Sequence, residues 1–286
     1  MSSKKDKIEV RSVSKQPSLT PLTLLLQAAM KLLLSIFTVL SVTLCVSSQA
    51  ADSSGHSDAA TGKWVLDLET GPVWFSRNNV RIPNDTGTRF DMLDLTDKGP
   101  LPYVRLYATY NFNERHAVRL NLAPLSVTDN GELDTDLRFK DADFAADTPT
   151  RGRYKFNTYR LTYRWMFHRS NTWDLGVGAA LLVRDAEIAL RQGSLQRSDD
   201  DLGLIPLLHL YGAYHLSTNT SVILDVEGAA APQGRAVDLT MKLQHELASG
   251  WHVFGGYRTL EGGADNDNLY TFAWLHFATI GAGYRF

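Results

Sequence analysis

The sequence predicts an all-β protein: a single closed antiparallel transmembrane β-barrel, with ten strands the best count and eight or twelve the alternatives. Three observations predict it. Ten segments between Trp64 and Phe286 alternate apolar and polar residues with the period of two that puts successive side chains on opposite faces of a sheet. The connections between them alternate between turns of three or four residues and generally longer, more polar loops, as in barrels that cross a membrane. The final segment, Leu269 to Phe286, ends on an aromatic residue with no polar tail, and such a strand needs a partner on its edge. A soluble β-sandwich is the alternative, and it does not account for these features together.

The segments can be taken in order. Trp64 to Phe75 sets Trp64, Leu66, Leu68 and Trp74 against Asp67 and Glu69, and a loop from Ser76 to Gly99 follows. Leu101 to Phe112 and His116 to Leu125 form a tight pair about Asn113. The longest connection, Ser126 to Arg153, contains strand-like alternation from Leu137 to Phe144. Tyr154 to Phe167 alternates most cleanly, with Tyr159, Leu161, Tyr163 and Trp165 opposite Thr158, Arg160, Thr162 and Arg164. Thr172 to Leu190 changes phase near Arg184, which predicts a bulge there. A loop from Gln192 to Asp201 leads to Leu202–Leu216, then Thr220–Ala230, Ala236–Leu247 and Trp251–Leu260. A loop from Glu261 to Asn268 precedes the last strand, in which strict alternation turns His276 toward lipid. A bulge that turns it inward, or a place near the headgroups, would relieve the cost.

The N-terminal fifth of the chain reads differently. Residues 30–50 have a basic start at Lys31, an apolar run and small residues at Ser48 and Ala50, the pattern of a secretory signal peptide. The run is short for a transmembrane helix, although an inner-membrane anchor is the alternative. Residues 1–29 are expected to be an upstream over-extension or disordered, and residues 51–62 a flexible lead-in to a barrel over 63–286. The one cysteine, Cys45, lies in the signal, so disulfides and cysteine metal sites are excluded from the mature chain. Removing residues 1–50 leaves 23 basic against 29 acidic residues, which argues against a nucleic-acid partner.

The ending Thr279, Gly281, Tyr284 and Phe286 resembles the assembly signal of outer-membrane β-barrels. The stretches Tyr154–Arg164 and Gly256–Asp267 are similar to a poorly characterised group of proteobacterial outer-membrane proteins. The resemblance implies the outer membrane of a Gram-negative bacterium, both termini in the periplasm, and the barrel assembly machinery and periplasmic chaperones as partners during biogenesis. That group carries no assigned activity, so the resemblance leaves function open.

The polar face carries the candidate site. Asp67, Glu69, Arg105, Arg119, Arg160, Arg164, Asp225, Glu227, Asp238, Lys242, Glu246 and Arg258 all fall on the predicted inner side, basic strands facing acidic ones. Unpaired charge in a narrow lumen is costly, so an ion-paired, largely filled lumen with a structural or outer-leaflet role is expected. A narrow channel for small polar solutes is the first alternative. A lipid A or phospholipid modifying enzyme is the second, with His209 beside Asp225 or Glu227 as the candidate base. No cofactor is expected. The acidic groups Asp199, Asp200 and Asp201, and Asp265 and Asp267, are weak candidates for metal ligands on outer loops. Arg77, Arg81 and Arg89 are placed to meet lipopolysaccharide phosphates, which with outer-membrane lipids complete the expected partners of a monomer. Trp64, Trp165, Trp173, Trp251, Tyr284 and Phe286 at one end, and Trp74, Tyr257 and Trp274 at the other, read as two aromatic girdles.

Overall fold

The computed structural model describes residues 63–286, so the expected signal peptide, upstream segment and lead-in lie outside the described residues. Ten antiparallel strands close into one barrel. The wall begins with β1 (Trp64–Arg81), and a short strand β2 (Phe90–Asp91) folds back on its upper end. It continues through β3 (Leu101–Asn111) and β4 (His116–Ala123), and the chain resumes as β5 (Ser126–Gly131). The two strands β6 (Leu137–Phe139) and β7 (Ala142–Phe144) form a separate hairpin. The wall then runs through β8 (Thr150–Arg169), β9 (Trp173–Gln192), β10 (Leu195–Ser217), β11 (Thr220–Ala231), β12 (Gly234–Glu246), β13 (Trp251–Asp265) and β14 (Tyr270–Arg285). Closure is made by β14 on β1, from Val65↔Arg285 to Arg81↔Tyr270. The ladder of β8 is shared by β4 and β5 in succession, so together those two short strands make one stave.

Outside, the middle of the wall is apolar. Leu161, Leu181, Leu208, Leu210, Leu224, Met241, Leu243 and Ile280 are all exposed large hydrophobic side chains there. In water such a surface would be unstable, whereas in a bilayer it is the outer face of a spanning barrel. Tilted aromatic pairs Trp64–Tyr110, Trp173–Tyr214 and Trp251–Tyr284 ring the end that carries the short turns.

Beyond the other edge of this belt the pattern inverts. On β9 the inward residues Leu182, Ile188 and Leu190 are buried, while Asp185 and Glu187 point out to Lys155 on β8. The register of β9 with both neighbours is continuous through Arg184, so the expected bulge is absent. The change of phase has another cause: the strand has left the membrane, and water now lies outside and an apolar core inside. Register shifts occur instead in β1 between Phe75 and Arg77, in β8 between Met166 and His168, and in β10 between His215 and Ser217.

That inner core closes the loop end. Val73, Val80, Tyr154, Leu190, Leu275 and Phe277 from the wall pack with Met92, Leu95, Leu137, Phe139 and Phe144 from the connections. The β6–β7 hairpin is sewn to the first loop by backbone bonds from Thr88 to Arg138 and from Lys140 to Ile82. Its alternation, visible in the sequence, therefore serves a cap rather than a rising continuation of the wall. The wall itself rises through β5 and the longer ends of β1, β8, β9, β10 and β13. Two expected outer loops are correspondingly reduced: Gln192 to Asp201 is a strand hairpin with only residues 193–194 at its tip, and Asp265 belongs to β13.

Candidate functional site

Strand tilt decides which inward side chains share a level, and in this barrel it gathers charges from β1, β3, β4, β8, β11, β12 and β13 into one layer. Arg160 on β8 bonds Glu227 on β11 and reaches Asp238 Oδ2 on β12 at 2.9 Å. Asp238 is also held by Arg258 on β13, from Nε at 2.7 Å and Nη2 at 2.5 Å. Arg119 on β4 grips Asp225 through two bonds of 2.6 and 3.2 Å and touches Glu227 at 3.2 Å. The hydroxyl of Thr162 donates to Glu227 at 2.8 Å. Glu69 accepts from the Tyr103 and Tyr107 hydroxyls, each at 3.1 Å, with Arg105 and Arg258 both at 3.8 Å. Arg258 closes the ring by donating to Tyr107 at 2.7 Å.

Arg105, Arg160, Arg258, Glu69, Glu227 and Asp238 each expose no more than a few per cent of their surface. Burial at that level makes every unpaired charge expensive. The two bonds of Arg258 to Asp238 and the bonds of Arg160 to Glu227 and Asp238 offset it, whereas Arg105 has, among the described residues, only the 3.8 Å approach to Glu69 and a place over the Phe277 ring. Asp67, nearer the turns, is bonded by His252 Nε2 at 2.6 Å. Arg164 lies 4.2 Å from the Tyr211 ring centre and Lys242 4.0 Å from that of Phe254. Among the described residues neither has a carboxylate within the range of an ion pair. Glu246 sits at the turn end, 3.8 Å from Arg285.

Every residue of the expected lumen set thus faces inward, but they form one tight layer with satellites rather than an even lining. Sequence reasoning missed Tyr103, Tyr107, Thr162 and His252. Their alternation phase places them on the inner face, and only the tilt of the strands reveals that they share its partners.

His209 on β10 is wholly buried, with Nδ1 3.3 Å from Glu227 and 3.5 Å from Asp225. The three side chains are close enough to bind one ion. However, the two carboxylates already accept from Arg119, Arg160 and Thr162, so a cation would have to displace guanidinium groups. The acidic candidates elsewhere do not converge: Asp199 and Asp201 point inward to Lys140 and Arg184, while Asp200 is exposed between them. Asp265 receives a bond from Asn84 at 2.9 Å at the rim, beside Asp267. Arg77 pairs with Glu261 at 2.5 Å, and Arg89 stacks on Tyr270 and donates to its hydroxyl.

His276 faces outward, with no shift in β14 to turn it in. Its Nδ1 is 2.5 Å from the Tyr257 hydroxyl and its Nε2 2.9 Å from Ser76. The extra residue in β1 is Ser76 itself, so the irregularity lies on the neighbouring strand and supplies the histidine with a partner. Trp74, Tyr257 and Trp274 surround it, which makes a polar island inside the outer girdle.

The layer divides the lumen. On the turn side a cavity of about 520 Å³ is lined by Asp67, Arg119, Arg164, Lys242 and His252. On the loop side a second of about 660 Å³ is lined by Leu182, Ala186, Leu207, Ala229, Ala236 and other mainly apolar residues. Arg160 and Asp238 border both.

No family model matches this chain, and no curated protein matches its sequence. Its structural neighbours are outer-membrane β-barrel proteins. They include the outer membrane protease OmpT from Escherichia coli, at 10% identity and a TM-score of 0.48, covering 82% of this chain and 100% of that one. The translocator domain of the autotransporter NalP from Neisseria meningitidis is similar at 11% identity and a TM-score of 0.39, over 91% of this chain and 98% of the other. The attachment invasion locus protein Ail of Yersinia pestis is similar at 11% identity and 0.36, over 78% and 99%. These proteins have different roles, and the likeness assigns none of them to this chain.

Proposed function

We propose that this protein is a monomeric outer-membrane barrel of a Gram-negative bacterium, closed to solute flow, that acts structurally or at the outer leaflet. In this reading the turn end and both termini face the periplasm, and the loop end faces out. The observation that carries it is the layer formed by Arg160, Glu227, Asp238 and Arg258, which joins staves on opposite sides of the lumen. Four arginines, Arg105, Arg119, Arg160 and Arg258, meet four carboxylates, Glu69, Asp225, Glu227 and Asp238, so no net charge is left to attract an ion. An apolar core seals the loop end above it. Of the basic groups at the rim, Arg89 is exposed while Arg77 and Arg81 are half-buried and Arg77 is paired with Glu261, so Arg89 is the best placed for contact with lipopolysaccharide phosphates. The ending Thr279, Gly281, Tyr284 and Phe286 suits recognition by the barrel assembly machinery and its chaperones.

Planar-bilayer recording of the purified, folded protein tests the reading. A silent bilayer is expected. Steady openings would support the channel alternative, in which the vestibule cations Arg164 and Lys242 would select the solute.

A further inference from the structure

The wall of the barrel is not sealed along its whole height. The ladder between β10 and β11 ends at Leu208↔Gly228. Above that pair β10 continues from Leu207 up to Leu195, hydrogen-bonded to β9 alone, and Ala229 to Ala231 pair with β12 alone. Pro206 sits at the parting. Proline has no N–H to give to a ladder and is confined to strand edges, so β10 becomes an edge strand here. The facing residues, Ala229, Ala230 and Ala231, are too small to fill the space that the lost pairing leaves.

Three observations fix the level and character of this window. Leu204 and Leu208 flank Pro206 on the outer face and are 64% and 57% exposed, so the opening lies within the apolar belt. The loop-side cavity reaches through it, because its lining includes the outward residues Leu204, Pro206 and Ala230 as well as the inward Leu182 and Leu207. Just inside, Ala180, Leu182 and Leu207 form a small apolar cluster against Ile205, Ala229 and Ala236. The volume, about 660 Å³, lies in the range of ligand pockets.

We propose that this window admits one acyl chain of a membrane lipid into the loop-side cavity. A headgroup is disfavoured by the passage itself, which Leu182, Leu204, Leu207, Ala229 and Ala236 line with apolar surface, and the charges beneath are already engaged, Arg160 with Glu227 and Asp238, and Asp238 with Arg258. A tail finds leucine and alanine on both sides of the passage, and its headgroup stays at the edge of the belt. The cavity also reaches the polar rim at Gln233 and Asn266, but the source of a tail is the bilayer, since the lateral opening lies beside Leu204 and Leu208 of the apolar belt, where acyl chains are concentrated. The inference requires that the barrel be embedded in a membrane, and it holds whether or not the lumen conducts.

The test is photolabelling. The protein is reconstituted in phosphatidylcholine vesicles containing a phosphatidylcholine with a diazirine at the end of one acyl chain. A parallel sample carries the diazirine on a free fatty acid. Labelled residues are located by peptide mass spectrometry, on protein that is folded by its mobility on an unboiled gel. In the lipid sample, label is expected on the inward residues Leu182, Leu207 and Ala236 in addition to the outward Leu204 and Leu208. Ala229→Trp, which fills the window, is expected to lower inward labelling about tenfold, equivalent to roughly 1.4 kcal/mol, with outward labelling unchanged. Ala236→Phe serves the same purpose should the tryptophan variant fail to fold. Label confined to outward residues would overturn the proposal. So would inward label from the fatty acid alone, or inward label unaffected by the filling variants.

Discussion

Arg160 is the residue on which the lumen layer converges. It bonds carboxylates on two strands across the barrel, and its surroundings are nearly free of solvent. Arg160→Ala leaves Glu227 and Asp238 with one guanidinium partner each, Arg119 and Arg258 respectively. Removing one member of a buried pair typically costs about 3–5 kcal/mol. The variant is therefore expected to unfold at markedly lower urea concentration, followed by loss of the heat-modifiable band. An unchanged midpoint would show that water rehydrates the layer freely. Arg119 and Asp225 supply a sharper version: Arg119→Met and Asp225→Leu are expected to couple by about 0.5–3 kcal/mol, so that the double variant costs less than the two singles together. Gly283 shows how tightly the layer below is built. A Cβ there would lie 2.1 Å from Asp67 Oδ1 and 2.4 Å from His252 Nε2, so Gly283→Ala is expected to break that hydrogen bond and lower the unfolding midpoint.

Among the elements, those in the belt were legible in the sequence because one face meets lipid and the other meets charge. Tyr159, Leu161 and Tyr163 against Arg160 and Thr162 is such a case. Outside the belt β9 carries apolar residues inward, Ile188 and Leu190, and polar residues outward, Asp185 and Glu187. Asp185 and Glu187 then imitate a bulge, and Ser198 to Asp201 imitates a loop although it is strand. The direction of alternation names a face only when the surrounding medium is known. The candidate site was legible as a set of inward charges. Its pairing was not, since Arg160 and Glu227 are brought together by tilt and shear, which local periodicity does not encode. The β6–β7 cap gives a pH prediction at this scale. The Arg197 guanidinium, bonded to Asp141 at 2.6 Å, holds that carboxyl below its ordinary value. A depressed acid stabilises the folded contact above its unfolded value, about 4, and loses that contribution as the pH falls through its lower folded value. Hydrogen exchange corrected for intrinsic rates should show weaker protection of the Phe139 and Ala142 amides at pH 3 than at pH 6. Asp141→Asn should flatten part of that difference, and an identical pH response in the variant would assign it to other groups.

For the molecule as a whole, two barriers lie in series along the lumen, and they rest on different physics. The charged layer is closed by directed hydrogen bonds between Arg160, Glu227, Asp238 and Arg258. The loop end is closed by apolar packing of Phe139, Phe144, Leu190 and Phe277, each with almost no exposed surface. Barriers in series do not add: conduction requires both to fail. Arg160→Ala alone opens the layer but leaves the apolar core, which excludes hydrated ions. Phe139→Ala with Phe144→Ala loosens the cap, at about 3–5 kcal/mol for each buried ring, but leaves the ion pairs in place. Each set is expected to remain silent in a planar bilayer, and the combination of all three substitutions to conduct. Openings from Arg160→Ala alone would show that the core above is permeable. Silence from the combined variant, with folding confirmed by gel mobility, would mean that the side chains neighbouring the removed ones collapse into the space. The closure would then be a property of the narrow barrel itself rather than of either layer.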